Sequence, residues 1–348
     1  MADDANPRPT GAGADTATLP ENRDAGRATT RPAPGGGVGR RSGRTVSTQL
    51  RKRLEIAFFV TPALALFAAF VVVPIAQAVR YSVFSWNGLG PLDDFVGFAN
   101  YARALQDQVF TDAVMHNLTI VVLSILIQLP LGLGVALLLN REMWGRTAMR
   151  IVVFVPYVLA EVVAGVVWFM LLQPSGPVDA ALEAVGLGGL VQVWLGNPDI
   201  ALYTVMVVLT WKYLGLAVIL FLAGLQGVPP ELYEAAQIDG ASWWQVQRRI
   251  TIPLLGPTIR TWGFLSMIGS LQLFDMVWIL TKGGPANSTV TMAIYLINQG
   301  TNRSLYGYAS AVAVLLFVIS LVLALTYQRL ILRRDTVDAP RTARKVAR

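Results

Sequence analysis

The chain has 348 residues, 54% of them hydrophobic and 14% charged, with a formal net charge of +7, one histidine and no cysteine. Disulfides, thiol chemistry, thiolate metal sites and histidine-rich metal clusters are thereby excluded. The apolar residues are gathered in blocks instead of recurring at amphipathic spacing, which is the composition of an integral membrane protein.

Residues 1–50 are rich in Pro, Gly, Ala, Thr and Arg and hold no apolar run, so they are expected to form a disordered cytoplasmic tail. No cleavable signal peptide is visible there, and the first span would itself serve as the targeting signal. A bilayer core of about 30 Å needs roughly 20 mostly apolar helical residues, because backbone polar groups are satisfied there only within the helix. Six stretches qualify, near 55–79, 117–139, 149–172, 199–223, 260–280 and 306–328. The expected fold is all-α, a polytopic membrane domain of six transmembrane helices over 51–332, followed by a basic cytoplasmic tail at 333–348.

The spans contain few polar groups, and these are expensive in hydrocarbon unless they face the bundle interior, a wet cavity or each other. Glu161 in the third span and Lys212 in the fourth fall at matching depth, within about one turn of the bilayer midplane at about 1.5 Å per residue, and are expected to approach each other. The fifth span, "TWGFLSMIGSLQLFDMVWIL", is the weakest because it carries Gln272 and Asp275. Glu161, Trp211, Lys212, Gln272 and Asp275 are therefore candidates for a polar solute path, with a purely structural Glu161–Lys212 ion pair as the alternative. Trp168 and Trp278 are read as belt residues at the membrane surface. His116 is read as a hydrogen-bonded interface residue, and the Asn117-Leu118-Thr119 glycosylation triplet as a chance match.

Basic residues set the orientation. Arg40, Arg41, Arg44, Arg51, Lys52 and Arg53 precede the first span; Arg141, Arg146 and Arg150 follow the second; Arg248, Arg249 and Arg260 flank the fourth connector, and seven more run from Arg329 onward. The opposite side has Arg80, Arg103, Lys282 and Arg303, so nineteen against four place both termini in the cytoplasm. Orientation and anionic lipid account for the positive charge, and no nucleic-acid partner is implied. The loops 80–116 and 173–198, long and turn-rich, face outward in this topology, as does the loop containing "TKGGPANSTV".

The connector at 225–257 is richer than a turn requires. Pro229 and Pro230 suit the first turn of a helix, and Glu231 and Glu234 favour its positive end. Gly240 is the natural stop, and Ser242 with Gln245 matches the capping box that opens a second helix, expected to run to about Ile250 before Pro253 ends or bends it. An interfacial hairpin with Trp243 and Trp244 among lipid headgroups is one reading of that pattern.

The order Glu234-Ala235-Ala236, three residues, Gly240, nine residues, Ile250-Thr251-Ile252-Pro253 resembles the EAA motif of bacterial ABC importer permeases, with Ile252 where the family prefers Leu. "FVGFANY", "LAGLQGVPPELYEAAQIDGAS", "FDMVWILTKGGP" and "YGYASAVAVLLF" extend the resemblance to the sugar-type branch, related to maltose and glycerol-3-phosphate permeases with the MetI-like fold. The resemblance implies a subunit that moves a carbohydrate or related solute by alternating access and catalyses no covalent chemistry. It also implies that Glu234, Ala235, Ala236, Asp239, Gly240, Ile250 and Pro253 belong to a coupling loop docking on separate ABC ATPase subunits. A second permease subunit and an extracytoplasmic solute-binding protein complete the implied assembly, in a bacterial cytoplasmic membrane. No Walker sequence G-x-x-x-x-G-K-[ST] occurs, so no nucleotide site is expected in this chain, and ATP with magnesium would belong to the ATPase partner. A stand-alone secondary carrier is the competing reading, kept open by Glu161, Lys212 and Asp275.

Overall fold

The computed structural model describes residues 45–332; the two tails read as disordered or basic lie mostly outside them. The chain divides into two units, Met1–Ala63 and Leu64–Arg348. The described part of the first is helical and belongs to α1 (Thr45–Phe67), where Arg51 pairs with Glu55 one turn on at 3.2 Å.

The second unit is all helix, and no strand occurs among its described residues beyond one isolated bridge, Phe84 with Phe95. After a π-turn come α2 (Val73–Tyr81), α3 (Ala99–Gln106) and α4 (Gln108–Leu123), and a second π-turn, Ser124–Gln128, leads to α5 (Leu129–Leu139). Next are α6 (Arg146–Val158), α7 (Glu161–Leu171), α8 (Pro177–Ala184) and α9 (Ala201–Gln226). The connector forms α10 (Pro230–Ile238), α11 (Trp243–Val246), a π-turn and α12 (Ile252–Leu254). The chain closes with α13 (Gly256–Leu271), α14 (Asp275–Leu280), α15 (Met292–Ile297) and α16 (Tyr306–Tyr327).

Four helical runs are long and apolar enough to cross a membrane: Leu50–Tyr81, Gln108–Leu139, Ala201–Gln226 and Tyr306–Leu332. The other two predicted spans are not continuous. The third bends by 101° between α6 and α7, and counts as a fifth crossing only if both halves are taken together. The fifth breaks at Gln272, Leu273 and Phe274 between α13 and α14. The second span's helix also starts at Gln108, well before the predicted 117, because Asp107 accepts from the backbone amides of Val109 and Phe110 and fixes the N-terminus there.

The long helix α9 is the hub. One buried cluster joins its first half to α4, α13, α14, α15 and α16, and a second joins its last half to α5, Leu255 and Trp262. Gly215 allows α6 to close on it: a Cβ there would lie 2.7 Å from the Val153 carbonyl oxygen. Small residues serve in this way in membranes because apolar burial alone does not drive helices together in lipid.

Candidate functional site: the connector, two broken spans and a polar cavity

The connector folds as its local signals dictate. Gly240 has φ of 70°, and its amide donates to Gln237 O while Ala241 N donates to Ala236 O, closing a Schellman motif at the end of α10. Ser242 and Gln245 form both halves of the capping box that starts α11. The second helix continues past the expected Ile250, through the π-turn Gln247–Thr251 and α12 to Leu254. Pro253 sits just inside α12, and the π-turn absorbs the hydrogen bond it cannot donate. Glu234, Ala235, Asp239 and Gly240 are exposed, and Ile238 is 87% exposed, whereas Ala236 is buried within its own loop. Ile250 is half-buried. Space around Gly240 is open, since a Cβ there would meet nothing within 4 Å. Arg141 from the α5–α6 connector lies 4.7 Å over the Trp243 ring and fastens the two connectors together.

The break in the third span exposes the last carbonyls of α6, and Lys212 of α9 fills that end. Its ammonium, 1% exposed, donates to Pro156 O at 3.0 Å, to Tyr157 O at 3.1 Å and to Leu159 O. A cation at a helix C-terminus satisfies carbonyls that have no intrahelical donor and complements the dipole. Glu161 is the first residue of α7, at the positive end of the other half-helix. Its Oε1 lies 3.8 Å from Lys212 Nζ and accepts from the Tyr213 hydroxyl at 2.9 Å, while Oε2 is buried without a hydrogen-bond partner. The pair expected within continuous spans therefore sits at the joint of a bent one.

The fifth span repeats the arrangement with a neutral group. Asn117 of α4, fully buried, donates through Nδ2 to Ser270 O at 2.7 Å and Leu271 O at 3.3 Å, and its Oδ1 accepts from Met292 N at 2.9 Å. The glycosylation triplet is thus a packing residue. Neighbouring His116 contacts Val290 O at 2.9 Å through Nδ1. Asp275 opens α14 as Glu161 opens α7; it and Gln272 are exposed and make no side-chain hydrogen bond among the described residues. Trp211 packs edge-on against Trp168 at 5.4 Å, and Trp278 stacks on Phe274 at 5.5 Å.

A cavity of about 150 Å³ lies between α4, α9 and α13. Ser124, Gln128, Tyr213, Ser266 and Ser270 supply its polar groups, and none of the five path residues named from sequence lines it. Gln128 is 4% exposed, and its amide has no hydrogen-bond partner among the described residues. Tyr213 links the cavity wall to Glu161. A signal for these residues was present: Ser124 with Gln128 and Ser266 with Ser270 are polar pairs at i, i+4 in apolar runs, which puts each pair on one helix face.

Residues 128–335 match the family model described as binding-protein-dependent transport system inner membrane component. A probable ABC transporter permease protein of Pyrococcus horikoshii is 35% identical over 274 residues, covering 78% of this chain and 94% of the relative. The diacetylchitobiose uptake system permease protein of Streptomyces coelicolor is 34% identical over 319 residues, covering 88% and 89%. In fold, the chain is similar to a bacterial ABC transporter involved in the import of the acidic polysaccharide alginate, with TM-score 0.73 and 24% identity over 83% of this chain and 98% of that one.

Proposed function

Because the chain belongs to the family of binding-protein-dependent transport-system inner membrane components, we propose that it is the permease subunit through which an ABC importer carries a carbohydrate inward by alternating access. Its membrane location follows from the family and the apolar helices. The carbohydrate class rests on relatives named for diacetylchitobiose, trehalose/maltose and lactose transport. The bacterial cytoplasmic membrane, with both termini inside, is supported by the asymmetry of basic residues.

The observation that carries the reading is the connector: a helix, a left-handed glycine corner and a second helix, with acidic and apolar side chains turned outward and open space at the corner. A secondary carrier has no use for such a docking element. Separate ATPase subunits, supplied with ATP and magnesium, would press on Glu234, Ala235, Asp239 and Gly240; the motion would pass through α11 and α12 into α13, which bears Ser266 and Ser270. Buried Ala236 supports the corner from within. The cavity, with the unpartnered Gln128 amide, is the solute path this reading favours, and Glu161, Lys212 and Tyr213 form its wall support. A second permease subunit would close the path from the other side.

Glu234→Lys and Gly240→Leu are expected to abolish uptake and binding-protein-stimulated ATP hydrolysis in the reconstituted complex while the chain still reaches the membrane. Normal uptake by both variants would rule out coupling through this loop.

A further inference from the structure

A second pocket, of about 330 Å³, lies on the predicted outer side, lined by residues between 85 and 103 together with Leu305 and Tyr308. Its wall is built by the first predicted outer loop. Asn100, 8% exposed, donates through Nδ2 to Ser82 O at 2.9 Å and Phe84 O at 3.0 Å, and Ser85 N donates to Asp94 O at 2.8 Å, so the loop holds a fixed shape. Gly307 N closes it from α16 by donating to Trp86 O at 2.9 Å.

The polar groups facing this space are left over. The carboxamide oxygen of Asn100 accepts no hydrogen bond among the described residues, although that residue is more than nine-tenths buried and lines the pocket. Asp93, Asp94 and Arg103 line it as well. None of these three charges has an ionic partner among the described residues. Trp86 contributes ring surface, whereas the Tyr308 ring, 3% exposed, is covered by Arg103.

This mixture suits a ligand that both donates and accepts hydrogen bonds. A cation would meet Arg103, and an anion would meet Asp93 and Asp94. A neutral polyhydroxylated molecule satisfies all three, since each hydroxyl both donates to a carboxylate or amide oxygen and accepts from a guanidinium, and a C–H face can rest on the Trp86 ring. The volume is at the low end of small-molecule sites, ~300–1,000 Å³, and admits roughly one or two sugar rings.

We propose that this pocket is a vestibular carbohydrate site, where a sugar unit is held outside the spans before it enters the inner cavity; the proposal rests on the carbohydrate reading above. The site is mechanically joined to that cavity. The Arg103 guanidinium lies 4.4 Å over the Tyr308 ring, Tyr308 and Tyr295 hydroxyls are 2.9 Å apart, and Tyr295 donates to Asp107 Oδ2 at 2.8 Å. Asp107 caps α4, the helix that leads into Ser124 and Gln128. Burial, with the hydrogen bonds to Tyr308 and Asp107, pushes the Tyr295 hydroxyl far above the ordinary tyrosine range, so it remains a donor throughout physiological pH.

The absence of native cysteine permits a direct test. In the complete complex reconstituted without binding protein, Ser85→Cys labelled with an impermeant maleimide reports on the pocket, and Ala180→Cys in α8 serves as the control. Maltose, lactose and N,N′-diacetylchitobiose at millimolar concentration are the probes. At least one should slow labelling at position 85 and none at 180. Arg103→Ala should weaken that protection by about tenfold, the order of one lost charge-assisted hydrogen bond, and Gln128→Ala should leave it intact. No protection by a sugar that the complex transports overturns the vestibular site alone. Protection that vanishes with Gln128→Ala, or that requires the binding protein, overturns it too. Uptake of no sugar at all, with protection retained, would instead remove the carbohydrate-import reading.

Discussion

The two broken spans solve one problem with different chemistry. At each, an apolar helix stops within a predicted span, its last carbonyls are capped by a side chain from another helix, and the outgoing half begins with a carboxylate. In the third span the cap is a buried ammonium that requires a counter-charge 3.8 Å away. In the fifth it is a carboxamide that uses both its ends on backbone groups, leaving Asp275 at the head of α14 without a side-chain hydrogen bond among the described residues. The comparison teaches that one backbone task, satisfying orphan carbonyls away from water, can be met by a pair of charges or by a neutral group. The charged solution makes removal of one partner far more damaging, because it strands the other.

The largest effect is therefore expected from Lys212→Met, which strands Glu161 and three carbonyls: about 3–5 kcal/mol of stability, seen as loss of folded complex in thermal melting followed by size-exclusion chromatography. Adding Glu161→Gln should recover the charge component only, since the α6 carbonyls still lack a donor. A double variant as stable as the parent would show that capping contributes nothing and that the pair is purely ionic. Asn117→Leu should cost less, about 1–3 kcal/mol for buried groups left unsatisfied. A loss equal to that of Lys212→Met would break the distinction between charged and neutral caps.

Tyr213→Phe removes one neutral donor to Glu161 and a hydroxyl from the cavity wall. We expect about 0.5–1.5 kcal/mol of destabilisation, together with a raised apparent KM for uptake at unchanged expression. An unaltered KM would take Tyr213 out of the solute path. Asp275→Asn, at an exposed position, is the smallest change, within about 0.5 kcal/mol in melting. A large stability loss there would mean that the fifth span depends on charge after all, and that the two joints are alike.

Sequence alone determined whatever is encoded within one turn of helix. The Asp-Gly corner at 239–240 and the Ser242–Gln245 box specify their conformations through neighbours at most a few positions away, and both are found where expected, as are four of the six apolar spans in outline. The approach of Glu161 to Lys212 was legible too, because charges in an apolar run are conspicuous. The breaks themselves were not. Residues 149–172 read as a continuous hydrophobic run and 260–280 as one weakened by Gln272 and Asp275, and nothing local to them reveals that Lys212, more than fifty positions away from Pro156, or Asn117, more than one hundred and fifty away from Ser270, will take their carbonyls. In a bilayer a helix interrupts only where another element supplies the missing hydrogen bonds, so the interruption is a property of two segments together and only the tertiary structure decides it. The same holds for the cavity: Gln128, Tyr213 and Ser270 line one space only when α4, α9 and α13 converge.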